Sequence, residues 1–313
     1  MKINKIKLGK IFFWIGMLLQ LFYTGRIITI NSYEKSSFFV ALIILCFGVV
    51  FGIGGMSKKE MSLFIISAGI AFFHLVLADD TNLLRIVLMV FAARRIEADK
   101  IKKFLLYAYT IFFFGVVLMS IYGNFNTIYQ EGVWRTNVGH EIRYNYGFDG
   151  PIRLMTVWNC FMASVFIFFK RRNIFRDIIL LVVSLALFKR SVTYTGIFGS
   201  LMLLGFPYVL GFGIFRKNYT YVRIMIRGGL IFVLLLTAMA SVVDVSSTGF
   251  GVWMNGRTAT LYRILADGHY PRLFGGEIPK GYYGLDNSYF YCLYLLGIVP
   301  MLMMLYLIWK LAG

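Results

Sequence analysis

The polar segment from Asp244 to Asn287 has the residue types that handle a phosphate-bearing substrate. Its charged residues and its histidine are Asp244, Arg257, Arg263, Asp267, His269, Arg272, Glu277, Lys280 and Asp286. Guanidinium groups bind phosphoryl oxygens in pairs and stay charged at any accessible pH, so several together could stabilise a departing pyrophosphate without a metal ion. A carboxylate or imidazole nearby could take the proton from an attacking hydroxyl group. The segment therefore predicts an anion-binding site.

A second polar segment, Gly123 to Pro151, carries Arg143 and Asp149. It ends in Gly147-Phe148-Asp149-Gly150-Pro151, where glycine and proline are typical of a defined bend before a helix. This segment is the second candidate for water-facing chemistry.

Several catalytic motifs are missing from the sequence. It has no Gly-rich Walker loop, no His-Glu-x-x-His, no Cys-x-x-Cys and no Asp-x-Asp. These absences argue against ATP hydrolysis, zinc chemistry and a metal-held nucleotide sugar, so no cofactor or metal is expected. Coupled transport usually needs acidic groups within the bilayer. The centres of the apolar segments contain none, and His74 and Arg85 are the main polar candidates there.

The chain that must position these residues is apolar enough to be an integral membrane protein. Of its 313 residues, 59% are hydrophobic, and the mean hydropathy is +0.74. Its apolar runs, roughly 18 to 22 residues long, can cross about 30 Å of hydrocarbon and do not alternate as barrel strands would. We expect an all-α polytopic protein with ten spans, at about 11–30, 38–56, 61–78, 80–95, 102–122, 152–169, 174–189, 191–212, 224–243 and 288–309.

The distribution of Lys and Arg predicts the orientation of these spans. Cytoplasmic loops retain positive charge, and basic clusters in alternate loops place both termini in the cytoplasm. The segments 123–151 and 244–287 are then long external loops of one transmembrane domain, residues 1–313. The net charge of +18 is explained by this topology and by contact with anionic lipid head groups, without a nucleic-acid partner.

Structural roles compete with the catalytic ones. Each arginine could simply pair with a loop carboxylate or a lipid head group. Asp286 precedes an apolar helix, where Asp is a preferred N-cap; Asp286→Ser would preserve a cap but abolish a base. His269 could equally be a solvated loop residue, and His74 a buried, hydrogen-bonded imidazole.

Three short motifs resemble one family. Leu285-Asp286-Asn287-Ser288-Tyr289-Phe290, followed by Leu295-Leu296-Gly297-Ile298, resembles the motif that closes the large external loop of Wzy-type polysaccharide polymerases and the related O-antigen ligases. Asn255-Gly256-Arg257-Thr258 resembles the start of that loop, and Pro271-Arg272-Leu273-Phe274-Gly275 resembles its Pro-x-x-x-Gly segment. Their order and spacing agree with the family.

Two earlier motifs are similar but altered. Arg143-Tyr144-Asn145-Tyr146-Gly147-Phe148 is similar to the family's Arg-Tyr-x-x-Gly-Phe, yet Asp149 follows where the family has His. Lys189-Arg190-Ser191 stands where the family has Ser-Arg at a helix boundary. Asp149 could replace the missing histidine as an acceptor.

The resemblance implies a GT-C-like fold and a metal-independent glycosyltransferase of the bacterial inner membrane. Polyprenyl-pyrophosphate-linked oligosaccharides would be polymerised on the outer face, with flippase and chain-length regulator proteins as partners. It gives Asp286 the role of general base or acceptor-orienting group and makes Arg257 and Arg272 catalytic. The substrate-binding residues it implies are Arg143, Asp149, Arg190, Asn287 and Tyr289, and the charged groups of the polar segment add Arg263 and His269.

Two other functions remain open from the sequence. An O-antigen ligase would transfer the finished glycan to a different acceptor. A flippase for lipid-linked oligosaccharides, or another transporter, should show repeated halves and interrupted helices at mid-membrane. The sequence shows neither, although Gly52, Gly54 and Gly55 offer one break.

Overall fold

The computed structural model is mostly helical. It describes residues 5–25, 34–53, 56–78, 81–94, 96–123, 129–135, 139–169, 173–211, 219–244, 257–276 and 293–311. In these ranges the helices are α1 Lys5–Gly25, α2 Glu34–Ile53, α3 Lys58–Ala78, α4 Asn82–Ala93, α5 Ala98–Ile121, α6 Pro151–Phe168, α7 Ile174–Ser191, α8 Tyr194–Gly211, α9 Tyr219–Val242, α10 Arg257–Ala266 and α11 Ile298–Leu311. The strands are β1 Tyr129–Arg135 and β2 Gly139–Tyr144.

Each of the ten predicted spans overlaps a helix, but fewer helices qualify as spans. In the described part of the chain, three are long and apolar enough to cross a membrane by length and composition: Lys58–Leu77, Ala98–Ile121 and Pro151–Phe168. Helix α4 has 12 residues and is therefore about 18 Å long, short of the about 30 Å of a hydrocarbon core. The mostly helical class is confirmed, whereas ten spans and the GT-C-like fold stay predictions.

Local sequence sets several helix ends. Helix α6 begins with Pro151, which fits the first helical position because its missing N–H would have no partner there. Helix α7 begins after Asn173, whose side chain accepts a hydrogen bond from the Arg176 N–H over 3.2 Å. It ends at Ser191, and the capping residue Val192 adopts a left-handed conformation with φ 50°.

Contacts divide the chain into two compact units. The first comprises Met1–Gly55 and Leu88–Phe212, and the second comprises Met56–Val87 and Gly213–Gly313. The predicted single domain over residues 1–313 stays a prediction.

The core of the first unit is an aromatic layer shared by α5, α6 and the bend before α6. The Phe113 ring lies 5.2 Å from the Trp158 ring and 6.1 Å from that of Phe148, and Phe148 and Trp158 are almost completely buried. The indole N–H of Trp158 donates to Ser184 Oγ on α7 over 2.8 Å. That bond satisfies the polar atom of a large buried side chain. Together with the ring contact of Phe113, it links α5, α6 and α7 at the level of Trp158.

Small residues let α8 approach α6 closely. A Cβ on Gly196 would lie 2.8 Å from Met155 Cγ, and one on Gly199 would lie 2.7 Å from Asn159 Nδ2. The Asn159 side chain donates to the Gly196 carbonyl over 3.0 Å and accepts from Ser200 Oγ over 2.6 Å. Close backbone approach plus an interhelical hydrogen bond is a common way for helices to associate in membranes.

A buried carboxylate joins α7 to the far end of α8. Asp177 is 7% exposed and accepts hydrogen bonds from Tyr208 Oη over 2.6 Å and from its neighbour Arg176 over 2.8 Å. The Arg176 guanidinium also lies 5.0 Å from the Phe166 ring of α6. The carboxylate is therefore both paired and hydrogen bonded, as a buried charge needs to be.

The loop predicted between α5 and α6 contains a β-hairpin. Strands β1 and β2 are antiparallel, with Tyr129 opposite Tyr144 and Gln130 opposite Arg143. Strand β2 packs against α7. The hairpin is followed by a tight bend, in which Tyr146, Gly147 and Gly150 have φ 46°, 85° and 114°.

The described helices that lie wholly in the second unit are α3, α9, α10 and α11, and α9 packs on α10. The Arg227 guanidinium of α9 lies 4.6 Å from the Trp309 ring of α11 and donates to the Trp309 carbonyl over 3.2 Å. Helix α10 lies inside the predicted external loop 244–287, which the sequence analysis described without a helix.

Candidate functional site

Two separate stretches of the second unit, residues 271–276 and 293–299, are joined by backbone hydrogen bonds. The Ile298 N–H donates to the Arg272 carbonyl over 3.0 Å, and the next amide donates to the next carbonyl over the same distance. We call this pairing the junction. Its two stretches belong to two of the motifs that carry the family resemblance, so the structure brings these motifs together.

Two glycines make the junction this close. Gly275 has φ 82° and Gly297 has φ 92°, a region that residues with a Cβ adopt only with strain. A Cβ on Gly275 would lie 2.8 Å from the carbonyl carbon of Leu295, and a Cβ on Gly297 would lie 2.5 Å from that of Phe274. Both neighbours are backbone atoms, which cannot turn aside, so each position requires glycine.

The junction also joins the described residues on either side of the segment that carries the predicted base. The Gly276 N–H donates to the Tyr294 carbonyl over 3.1 Å. Asp286, Asn287 and Tyr289 belong to residues 277–292, which lie outside the described residues. Their predicted roles stay predictions, but Gly276 and Tyr294, which lie on either side of this segment, are joined close to Arg272.

Arg272 is exposed and lies over a glycine. Its Cδ would be 3.4 Å from a Cβ on Gly276, so this part of the surface leaves room for the arginine side chain. The Arg272 carbonyl accepts the Ile298 N–H of α11, and the arginine side chain is exposed. A positive group with a fixed backbone is suited to binding a phosphoryl oxygen.

An apolar cavity of about 340 Å³ lies next to this arginine. The neighbouring residue Pro271 lines it, together with Leu234, Ala238 and Ser241 of α9, Leu265 of α10, Leu293, and Ile298, Met301, Leu302 and Leu305 of α11. The contributions of α9 and α11 recur at helical spacing, so each helix presents one apolar stripe. The volume is at the lower end of the range for small-molecule pockets, and the lining suits a hydrocarbon chain.

Arg263 and His269 lie around the end of α10. The helix is closed by Gly268, which has φ 77° and donates its N–H to the Leu265 carbonyl over 3.0 Å. The carbonyl of His269 accepts a hydrogen bond from the Tyr294 hydroxyl, which links the end of α10 to the junction. The side chains of Arg263 and His269 are exposed. Arg257 is the first residue of α10, and its side chain lies outside the described part of the structure.

His74 supports the junction from α3. It is fully buried, and its Nδ1 lies 2.9 Å from the Phe274 carbonyl. Because a carbonyl oxygen only accepts, Nδ1 carries the proton. The Phe73 ring stacks on the Phe274 ring at 5.7 Å. The structure thus confirms the alternative of a buried, hydrogen-bonded imidazole for His74.

The first unit holds Arg143, Asp149 and Arg190. The Arg190 guanidinium, at the end of α7, lies 5.2 Å from the centre of the Tyr144 ring on β2, a cation–π contact. Arg143 precedes Tyr144 on the same strand, and Asp149 is half-buried in the bend before α6. The two altered motifs of the sequence analysis therefore contact each other.

Sequence reasoning missed three buried polar residues, Ser120, Asn145 and Ser191. All three have 0% exposed area. The altered motifs contain Asn145 and Ser191, but residue type alone did not distinguish them from their neighbours. Among the residues that the structure describes, no three His, Cys, Asp or Glu side chains are placed to hold a metal ion.

Fold and site together define a mostly helical protein with helices able to cross a membrane and with an arginine-bearing junction beside an apolar cavity. Comparison with known proteins adds no relationship, because no family model, characterised protein or solved structure matches the chain.

Proposed function

We propose that this protein polymerises polyprenyl-pyrophosphate-linked oligosaccharides into a polysaccharide at the outer face of the bacterial inner membrane. The observation that supports the proposal best is the apolar cavity beside Arg272. Pro271 lines the cavity and is bonded directly to Arg272, so their Cα atoms are about 3.8 Å apart. A ligand with a hydrocarbon tail and an anionic head matches this pair of surfaces.

In the proposed reaction, a sugar hydroxyl of one lipid-linked glycan attacks the anomeric carbon of another. A glycosidic C–O bond forms, the bond to the pyrophosphate breaks, and the lipid pyrophosphate leaves with the bonding electrons. Asp286 takes the hydroxyl proton. Arg257 and Arg272 bind the leaving pyrophosphate, with Arg143 and Arg190 as further binding groups. The donor is already activated, so the reaction needs neither ATP nor a metal.

The proposal includes a ten-span arrangement with both termini in the cytoplasm and the segments 123–151 and 244–287 outside. In that arrangement the arginines act on the face where the lipid-linked glycans are delivered, and contact with anionic lipids is left to the basic cytoplasmic loops. Asn287, Tyr289, Arg263, His269 and Asp149 would contact the glycan or its phosphates.

The test is polymerisation by the purified protein in lipid nanodiscs, supplied with lipid-linked repeat units from its own strain and no nucleotide or metal. We expect a ladder of increasing length on a gel. Arg272→Ala should slow its formation about 100-fold, the loss typical for one stabilising donor of a developing charge. Lys59→Ala, at the exposed start of α3, is the control and should leave the rate unchanged.

The cavity has its own test. Ala238→Trp places a large ring in the cavity, whereas Met239→Trp places it at the next residue of α9, which does not line the cavity. Ala238→Trp should raise KM about tenfold for a substrate with a long polyprenyl chain and leave KM unchanged for a ten-carbon analogue. An equal effect of the two variants would show that the cavity does not bind the polyprenyl chain. If the substrate crosses the bilayer and no ladder forms, the protein is a transporter and not a polymerase.

A further inference from the structure

The end of the first unit that carries the hairpin contains polar groups without partners. Within the described residues, neither amide atom of Asn145 has a hydrogen-bonding partner, and neither do the hydroxyls of Ser120 and Ser191. All three side chains are fully buried. Folded proteins pair nearly all such groups, and an amide left unpaired is unfavourable. The arrangement therefore indicates a ligand or ordered water that supplies the missing hydrogen bonds.

The two serines lie on the same level and face the same way. Phe113 of α5 and Ser184 of α7 both contact Trp158 of α6. Ser120 and Ser191 follow them on their own helices by about two turns, or about 10 Å, so each serine is on the face that points to α6. Because α6 runs in the opposite direction, the same distance from Trp158 leads back to its first residue, where the bend begins.

Asn145 reaches this level through the hairpin. Tyr144, its neighbour, lies under the Arg190 guanidinium, and Arg190 is the residue before Ser191. The Asn145 carbonyl accepts the Phe148 N–H over 3.0 Å, and the Phe148 ring packs on α5. The backbone of Asn145 is therefore held near α7 through Tyr144 and near α5 through Phe148.

Three tyrosine rings border this end of the unit. The Tyr144 ring lies 5.7 Å from Tyr146, nearly parallel to it, and 6.1 Å from Tyr129. Tyr146 has φ 46°, which is rare for a bulky residue and occurs mostly where surrounding structure enforces it for function. Aromatic rings with polar edges offer a flat apolar face next to hydrogen-bonding groups.

We propose that Asn145, Ser120 and Ser191 form a subsite for the hydroxyl groups of a carbohydrate, bordered by Tyr144 and Tyr146. The unpartnered groups are neutral and include both donors and acceptors, which matches hydroxyl groups and does not match a phosphate. Resting on the proposed function, the ligand is the glycan part of the substrate. Ordered water has the same hydrogen-bonding chemistry and is the alternative source that the experiment distinguishes.

The experiment measures binding of the free oligosaccharide that mild acid releases from the strain's own lipid-linked repeat units. This probe lacks pyrophosphate and lipid and is not turned over, so its binding is read separately from polymerisation. Titration calorimetry of the protein in nanodiscs gives the affinity, and thermal unfolding gives the stability. A ladder with no oligosaccharide binding would defeat the subsite alone, and binding with no ladder would defeat the polymerase alone.

Asn145→Leu and Asn159→Leu are a matched pair. Asn145→Leu removes an amide that has no protein partner, so we expect affinity to fall about tenfold or more while the melting temperature stays the same or rises. Asn159→Leu breaks the hydrogen bonds to Gly196 and Ser200, so it should lower the melting temperature and leave the affinity of the folded protein unchanged.

A third variant covers the case in which Asn145→Leu does not fold. Ser191→Ala deletes one hydroxyl with almost no change of shape and should weaken the oligosaccharide about fivefold. The proposal is overturned if the wild-type protein does not bind the oligosaccharide. It is also overturned if Asn145→Leu and Ser191→Ala bind it as the wild type does, because the buried groups are then satisfied by water only.

Discussion

Replacing Gly275 by alanine should open the junction. The added Cβ would overlap the Leu295 carbonyl and lie 2.8 Å from the carbonyl carbons of Leu295 and Leu296. The residue would also keep a φ of 82°, which costs a side-chain-bearing residue about 1–2 kcal/mol. Contact with backbone adds an overpacking term of about 1–3 kcal/mol. The total destabilisation of the junction is then about 2–5 kcal/mol.

Gly268→Ala is the control because Gly268 has nearly the same φ as Gly275 but has open space around its Cβ position. Gly268 has φ 77°, but nothing lies within 4 Å of a Cβ placed there. Alanine at this position should cost only the conformational term of about 1–2 kcal/mol. The difference between the two variants measures the close approach of the two stretches.

Hydrogen–deuterium exchange of each variant in nanodiscs, followed by mass spectrometry, measures the local stability around individual amides. In Gly275→Ala, the Ile298 and Val299 amides report on the junction; in Gly268→Ala, the His269 amide reports on the end of α10. The extra 1–3 kcal/mol corresponds to exchange accelerated about 5- to 150-fold more in Gly275→Ala. Equal acceleration in the two variants would refute the packing argument.

Two further predictions concern the first unit. Gly196→Ala should lower the melting temperature by several degrees, since its Cβ would press on Met155. Gly205→Ala on the same helix meets nothing within 4 Å and should be neutral or slightly stabilising. Differential scanning fluorimetry compares the two melting temperatures, and equal shifts would contradict the close α6–α8 contact. The hydrogen bond and charge of Lys100 lower the pKa of the exposed Glu97 carboxyl, so this pair adds to the stability of the fold above the usual carboxylate pKa, and that stability is lost as the pH falls. An NMR titration should show that Lys100→Gln raises the Glu97 pKa. An unchanged pKa would exclude the pairing.

Sequence patterns predicted most helices because long apolar runs have few other stable forms. The predicted span 152–169 became α6, Pro151–Phe168, and 174–189 became α7, Ile174–Ser191. Helix α10 was overlooked because a polar segment was described only by its charges, although Leu261, Ile264 and Leu265 already have helical spacing. The hairpin was overlooked for a similar reason.

The site was predictable only in part. Sequence motifs selected Pro271–Gly275 and Leu295–Ile298, and the structure pairs them through backbone atoms, for which the glycines were the visible signal. Burial of Asn145 depends on where a hairpin folds back on α7, and no local pattern encodes that distance. The roles of Asp286 and Arg257 remain predictions, since the structure describes neither side chain.

The backbone hydrogen bond between Gly276 and Tyr294 separates the stability of the junction from the sequence of the segment between these two residues. Gly276 and Tyr294 lie on either side of residues 277–292, and the hydrogen bond joins them through backbone atoms alone. The entropy of closing such a segment grows slowly, by about 0.6 kcal/mol for each doubling of length. Insertions and exchanges between these two residues would therefore leave the backbone groups of the Gly276–Tyr294 hydrogen bond in place.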